Sequence, residues 1–142
     1  MARDAATRQG RWVWIYHSPP EHSPTSESGA GRNFGDADLS AWIAQHAPDM
    51  VLAGHIHDAP FREGGSWVDR IGATWVFNGG RQVGPQPTCI VFDLHAGWAH
   101  WMSFDRTEAV RLDAPLTRPV SALVDPPDWL TSLGQVPDSN PA

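Results

Sequence analysis

The chain has 142 residues, of which 41% are hydrophobic and 18% are charged, and its formal net charge at pH 7 is −6. This composition favours a folded domain over a disordered chain, and the acidic balance argues against general nucleic-acid binding, which needs a basic face. No apolar run is long enough to span a bilayer, and the N-terminus lacks the apolar core of a secretory signal, so we expect no membrane association and a cytoplasmic location.

The first predicted elements are a helix end and a strand. Residues 2–9 are predicted to form the end of a helix that stops at Gly10. Residues 11–16 are almost all apolar, which predicts a strand buried on both faces. This strand has to end in the motif His-Ser-Pro-Pro of residues 17–20, because proline cannot continue a sheet ladder.

A loop and a helix come next. Residues 21–35 are rich in Ser, Gly, Pro and Glu and predict a long loop, and loops of that length in compact domains are often functional. Residues 36–46 predict a helix, since Leu39, Trp42 and Ile43 fall on one face.

The second half of the chain is predicted to be mostly strands. Residues 50–53 form a short apolar strand that leads directly into the motif Gly-His-Ile-His of residues 54–57. Further strands are predicted at residues 66–70, 73–78, 88–94 and 98–104. Residues 114–142 are proline-rich and predict a largely irregular tail, with one helical turn near residues 129–133 that could dock. The predicted class is α/β, with strand-helix-strand followed by antiparallel strands, so both histidine motifs lie just past the carboxyl ends of strands, where layered α/β sheets bind ligands.

The motif at residues 54–57 carries the strongest chemical signal. Two imidazoles separated by one residue on a tight turn can reach adjacent positions in a metal centre, and imidazole is a good ligand for zinc, iron and related ions. We attribute the bend to Gly54, which has no side chain to clash. The alternative is that His55 and His57 are turn residues bonded only to the backbone.

His17 is the second metal-ligand candidate. It ends an apolar strand and is followed by two prolines, so its position should be rigid. A lone histidine in such a place is more often structural, and its pairing with the later motif is what favours a metal ligand.

A strand ending in His-x-Pro-Pro, a helix, and a strand ending in Gly-His-x-His together resemble the calcineurin-like metallophosphoesterases. The resemblance covers residues 11–104 and is firmest over residues 11–57. It implies that His17 and His55 share one metal ion and that His57 binds its neighbour. It also implies two divalent or mixed-valence ions (Mn, Fe or Zn) and hydrolysis of a phosphate mono- or diester by metal-activated hydroxide.

The same resemblance implies a partial domain. Residues 1–113 would form the C-terminal half of a two-sheet α/β sandwich. In the family the motifs Asp-x-His, Gly-Asp-x-x-Asp and Gly-Asn-His-Asp/Glu come before His-x-Pro-Pro, and none of them precedes His17 here, so we expect a second chain or a missing segment to supply the remaining ligands. The sequence names no catalytic residue, and such a half domain is expected to be poorly soluble or to assemble.

Three other interpretations stay open. The chain could be an inactive truncated fragment, or a module in which three histidines hold a single ion. It could also be an unrelated β-barrel of the cupin type that uses His-x-His, for which Glu63 is near the required spacing.

Three polar residues are candidate substrate contacts. Asn78 lies in an Asn-Gly-Gly turn of a kind that the family often has close to its site, and Arg32 and Asn33 lie in the long loop. A turn without function and a solvated loop surface are the competing interpretations. Cys89 is the single cysteine, which excludes an intrachain disulfide and is compatible with a reducing compartment.

Overall fold

The computed structural model describes residues 6–29 and 31–133, with the side chains of residues 131–133 excepted. The predicted helix end at residues 2–9 and the predicted tail at 114–142 therefore lie partly outside the described residues. Within them the chain forms, in order, β1 (Val13–Ile15), α1 (Ala37–His46), β2 (Met50–Ala53), β3 (Val68–Ile71), β4 (Thr74–Asn78), β5 (Cys89–Asp93), β6 (Trp98–Met102), β7 (Thr107–Arg111) and α2 (Asp128–Leu133). The predicted α/β class, with strand-helix-strand followed by antiparallel strands, is confirmed.

The chain divides into two compact units, Met1–Arg81 and Gln82–Ala142, whereas the predicted partial domain runs through to residue 113. None of the helices among the described residues combines the length and the apolar character that crossing a bilayer requires.

The first unit is built on a four-stranded sheet in the order β1-β2-β4-β3. The strands β1, β2 and β4 are parallel, and β3 is antiparallel to β4. Helix α1 begins after Asp36, whose side chain accepts a hydrogen bond from the Leu39 N–H at 2.9 Å and so caps the helix. The core of the unit forms where Leu39 and Ile43 of α1 pack with Val51 and Val76 of the sheet.

The prediction that the first strand is buried on both faces was wrong. Val13 is 40% exposed and Ile15 is 84% exposed, while Trp14 and Tyr16, on the other face, pack against the core cluster. The reason is position: β1 lies at the edge of the sheet and α1 covers one of its faces. An apolar run alone does not distinguish such an edge strand from a central one.

The second unit contains an antiparallel sheet in the order β5-β6-β7. Strand β7 was not predicted, because its sequence Thr-Glu-Ala-Val-Arg is short and carries two charged residues. Trp101 of β6 is fully buried. Helix α2 matches the predicted helical turn, and its Leu130 is fully buried.

Candidate metal centre

His17 and His55 lie side by side at the carboxyl edge of the parallel sheet. The Tyr16 N–H donates to the Leu52 carbonyl oxygen at 3.0 Å, and the Gly54 N–H donates to the His17 carbonyl oxygen at 3.1 Å. These bonds extend the pairing of β1 and β2 beyond the last strand residues. As a result the two imidazole ring centres are 4.5 Å apart, with their planes inclined by 52°, and both residues are exposed.

The turn that carries His55 is strained. His55 has a φ of +61°, in the left-handed region that non-glycine residues seldom occupy. The Ile56 N–H donates to the Gly54 carbonyl oxygen at 2.7 Å, which closes a γ-turn centred on His55. Strain of this kind persists only where the surroundings enforce it, and it concentrates at functional sites.

Our attribution of the bend to Gly54 was wrong. Gly54 is not among the residues with positive φ, and a Cβ placed on it would meet only the His17 carbonyl oxygen, at 3.9 Å. The unusual conformation lies one residue later, at His55. A glycine in a motif suggests where a bend lies, but it does not identify the residue that bends.

His57 follows on the far side of a buried residue. Ile56 is 6% exposed, whereas the side chains before and after it are exposed. The His57 carbonyl oxygen accepts a hydrogen bond from the Arg81 N–H at 2.7 Å. In the part of the chain that the structure describes, no group of three or more His, Cys, Asp or Glu residues is placed to hold a metal ion. The close pair of predicted ligands is therefore His17 with His55.

The pair suits a borderline metal ion chemically. Imidazole nitrogens bind zinc, iron and related ions, and two exposed rings this close can serve as two ligands of one ion. A complete centre needs at least one further protein ligand or solvent position beyond these two. The described residues thus fit part of a metal centre.

Asn78 ends β4 and contacts the turn that carries His55. Its side chain is 1% exposed. Its Nδ2 donates to the Thr25 carbonyl oxygen at 2.8 Å and to the Ile56 carbonyl oxygen at 2.9 Å. Its Oδ1 accepts from the Gly80 N–H at 3.0 Å. Both N–H donors of the amide are thus used inside the protein. A substrate could bond only to the remaining lone pair of Oδ1.

Asn33 organises the long loop. Its Oδ1 accepts from the Ser26 hydroxyl at 2.8 Å and from the His22 N–H at 3.0 Å, and its Nδ2 donates to the Ser23 carbonyl oxygen at 3.0 Å. Arg32 is exposed, and its guanidinium carbon lies 5.8 Å from the centre of the Phe34 ring. Within the described residues, neither set of contacts includes His17 or His55.

The loop contains a buried polar network that the sequence did not reveal. Ser23, Thr25 and Ser26 are at most 1% exposed. The Ser23 hydroxyl donates to Asp69 Oδ2 of β3 at 2.9 Å, and the Ser26 hydroxyl lies 3.0 Å from the Pro20 carbonyl oxygen. The sequence signal was the Ser-Pro-Thr-Ser run itself, since serine and threonine hydroxyls readily bond nearby backbone groups in turns.

The sequence matches no family model and no curated protein. Among solved structures it is similar to a crystal structure of an unspecified protein, with 16% identity and a TM-score of 0.45 over 79% of this chain and 37% of that one. It is also similar to the crystal structure of TT1561 of Thermus thermophilus, with 17% identity and a TM-score of 0.39 over 78% of this chain and 39% of that one. The chain therefore spans less than two fifths of the length of each of these structures.

Proposed function

We propose that this chain takes part in the metal-dependent hydrolysis of a phosphate mono- or diester. In this proposal His17 and His55 bind one metal ion and His57 binds its neighbour. The observation that supports it best is the pair of exposed imidazoles, with ring centres 4.5 Å apart, that parallel strands bring together from two segments of the chain.

The metal ions, when bound, supply a hydroxide nucleophile near neutral pH and neutralise charge on the phosphoryl group. The chain's own contribution is to hold the imidazoles. His17 and His55 are fixed relative to each other by the hydrogen bond between the Gly54 N–H and the His17 carbonyl oxygen. We propose that a second chain or a further segment supplies the remaining ligands, because the described residues contain no third one beside the pair.

The proposed partners follow from charge and chemistry. A net charge of −6 disfavours nucleic acid as a partner, whereas a phosphoester can still bind where metal ions supply local positive charge. We place the protein in the cytoplasm as part of the same proposal, since its single cysteine is compatible with a reducing compartment.

A second candidate function is metal binding without hydrolysis. It is favoured by one observation: within the described ranges, no three ligand-type side chains converge on one point. In that case the histidine pair would hold one ion together with solvent or with groups from a partner.

The test measures metal content and hydrolysis on the purified full chain. Mn²⁺, Fe²⁺ and Zn²⁺ are added in turn, and activity is followed on p-nitrophenyl phosphate and on bis-p-nitrophenyl phosphate. We expect His17→Ala and His55→Ala each to abolish metal-dependent hydrolysis. His95→Ala is the matched control, since His95 is an exposed turn histidine in the second unit.

The outcomes separate the two candidates. Hydrolysis that is lost in both variants and kept in the control supports the first. Stoichiometric metal that depends on both histidines, with no hydrolysis of either substrate, supports the second. A chain that binds none of the three metals contradicts both.

A further inference from the structure

We infer that Asn78 is a positioning residue for the histidine pair: its side-chain amide ties the loop that follows His17 to the turn that carries His55. The inference rests on the proposed function, because it treats the two imidazoles as ligands of one metal ion. It assigns Asn78 no contact with the metal or with substrate.

The first support is the geometry of the amide. Its two N–H donors reach carbonyl oxygens of two separate segments, Thr25 in the loop after β1 and Ile56 in the turn after β2. Asn78 itself ends β4, where it pairs with Ala53. One planar group therefore connects the end of β4 to the loop after β1 and to the turn after β2, and only a side chain with two donors can bond both carbonyl groups at once.

The second support is the strain at His55. The γ-turn keeps a non-glycine residue at a φ of +61°, a strained conformation that persists only where the surroundings enforce it. The bond from Asn78 to the Ile56 carbonyl oxygen fixes the residue just after His55, and the bond between the Gly54 N–H and the His17 carbonyl oxygen fixes the residue just before it. The strained residue is thus held on both sides.

The third support is the fit of the segment that follows Asn78. Gly80 has a φ of +67°, and its N–H donates to Asn78 Oδ1 at 3.0 Å. A Cβ on Gly80 would lie 2.6 Å from Pro60 Cδ and 2.8 Å from the His57 carbonyl oxygen. The backbone of residues 78–81 is therefore packed directly against the histidine turn, so a displacement of this segment has to move that turn.

The test follows Cu²⁺ binding to the full chain, since electron paramagnetic resonance reports how many imidazole nitrogens bind the ion. His17→Ala defines the signal of the pair, because it leaves His55 without its neighbour. Asn78→Ser keeps one donor and cannot bond both carbonyl groups. We expect it to weaken two-imidazole binding by about 10–100-fold, as the loss of other groups that orient metal ligands does.

A second variant, Gly80→Ala, perturbs the histidine turn without changing Asn78, and Gly72→Ala serves as its control. Gly80→Ala pushes on the His57 carbonyl group, and we expect a loss of affinity in the same range. Gly72→Ala is its control: Gly72 has a φ of +60°, and a Cβ placed on it would meet no atom within 4 Å, so the variant introduces similar backbone strain without the contact. We expect Gly72→Ala to bind Cu²⁺ as the unaltered chain does. Thermal unfolding of each variant ensures that affinities are compared on folded protein.

The positioning role is overturned if either folded variant, Asn78→Ser or Gly80→Ala, binds Cu²⁺ through two imidazoles with unchanged affinity, or if the unaltered chain never shows a two-imidazole signal. Failure of the proposed function looks different. There, neither phosphate ester is hydrolysed, while the two-imidazole signal is present and still responds to Asn78→Ser and Gly80→Ala.

Discussion

The two units of the chain bury polar side chains in different ways. Among the described residues of the first unit, six such residues are buried and each has a hydrogen-bond partner. They are Ser23, Thr25, Ser26, Ser66, Thr74 and Asn78. In the second unit the described residues include one, His100, which is 7% exposed and whose Nδ1 has no partner.

The difference shows two ways of fixing a structure. In the first unit the side chains of Ser26, Thr74 and Asn78 bond to backbone carbonyl groups outside the strands, and so help to fix segments that have no sheet ladder. In the second unit His100 is surrounded by aromatic rings instead. The His100 ring lies 5.9 Å from the Trp98 ring in a stacked arrangement and 5.5 Å from the Trp129 ring at right angles. The turn that carries His55 is therefore bonded to a buried amide, that of Asn78, whereas the buried His100 contacts rings.

Removal of one hydroxyl from the loop network should have the largest effect on stability. The Ser26 hydroxyl lies within hydrogen-bond distance of Asn33 Oδ1 and of the Ser23 and Pro20 carbonyl oxygens. The hydroxyl carries one proton, so Ser26→Ala removes one buried hydrogen bond, and we expect the free energy of unfolding to fall by about 0.5–1.5 kcal/mol in urea titrations. Ser121→Ala, at an exposed serine of the second unit, should stay within about 0.5 kcal/mol. Equal losses in the two variants would mean that the network does not stabilise the first unit.

A histidine variant tests the second unit. Burial lowers the pKa of His100, and the nearby Asp93 carboxylate opposes that shift only in part. The folded chain then binds a proton at His100 less readily than the unfolded chain, so stability falls as the pH drops below about 6.5 towards the lowered value. His100→Phe keeps the stacked ring and removes the titration. We expect the drop in urea midpoint between about pH 8 and about pH 5 to become smaller. An unchanged drop would show that protonation of His100 does not destabilise the fold.

Tyr16 offers a smaller effect that can be observed directly. Its hydroxyl donates to Asp36 Oδ2 at 3.1 Å. This bond, with the negative charges of Asp36 and Asp38, raises the pKa of Tyr16. The protonated phenol therefore stabilises the folded chain below about pH 10, and that contribution is lost as the pH rises through the raised pKa.

The measurement on Tyr16 needs no label, because it is the single tyrosine of the chain. Asp36→Asn keeps a side-chain oxygen for the helix cap and removes the charge, so the phenolate absorbance should appear at a lower pH. Asp93→Asn in the second unit should leave the titration in place. If the phenolate titration is the same in Asp36→Asn, the Asp36 carboxylate does not raise the pKa of Tyr16.

The smallest effect is expected at the glycine of the histidine motif. Gly54 has no positive φ and space for a Cβ, so Gly54→Ala should change the free energy of unfolding by no more than about 0.5 kcal/mol. It should also leave Cu²⁺ binding intact, in contrast to Gly80→Ala. A large loss of stability or of Cu²⁺ affinity in Gly54→Ala would mean that the turn requires glycine at position 54, as the sequence alone suggested.

Local signals predicted much of the fold. Strand β2 has the predicted bounds, and α1 begins one residue after the predicted start because Asp36 is its cap. These elements depend on periodicity and capping within a few residues. The exposure of β1 could not be predicted, since whether a strand is central or at an edge depends on which strands pair beside it. Strand β7 lacked a local signal, because it contains charged residues. One of them, Glu108, is half-buried, and its Oε1 lies 3.2 Å from Arg106 Nε.

The candidate site was predicted in the same uneven way. The proximity of His17 and His55 follows from two motifs that each end a parallel strand. The roles of Asn78 and Asn33 depend on the carbonyl groups that face their amides, and those groups come from segments far away in sequence. No periodicity encodes such contacts. The roles of His17, His55 and His57 as metal ligands stay predictions.

The γ-turn at His55 has a consequence for the entropy of ligand binding. Its backbone already has its unusual conformation, held by hydrogen bonds on both sides. The loss of backbone freedom at this residue, worth about 1–2 kcal/mol, therefore occurs when the chain folds. A ligand that engages the His17–His55 pair has only side-chain rotations left to restrict, so the turn is preorganised before anything binds.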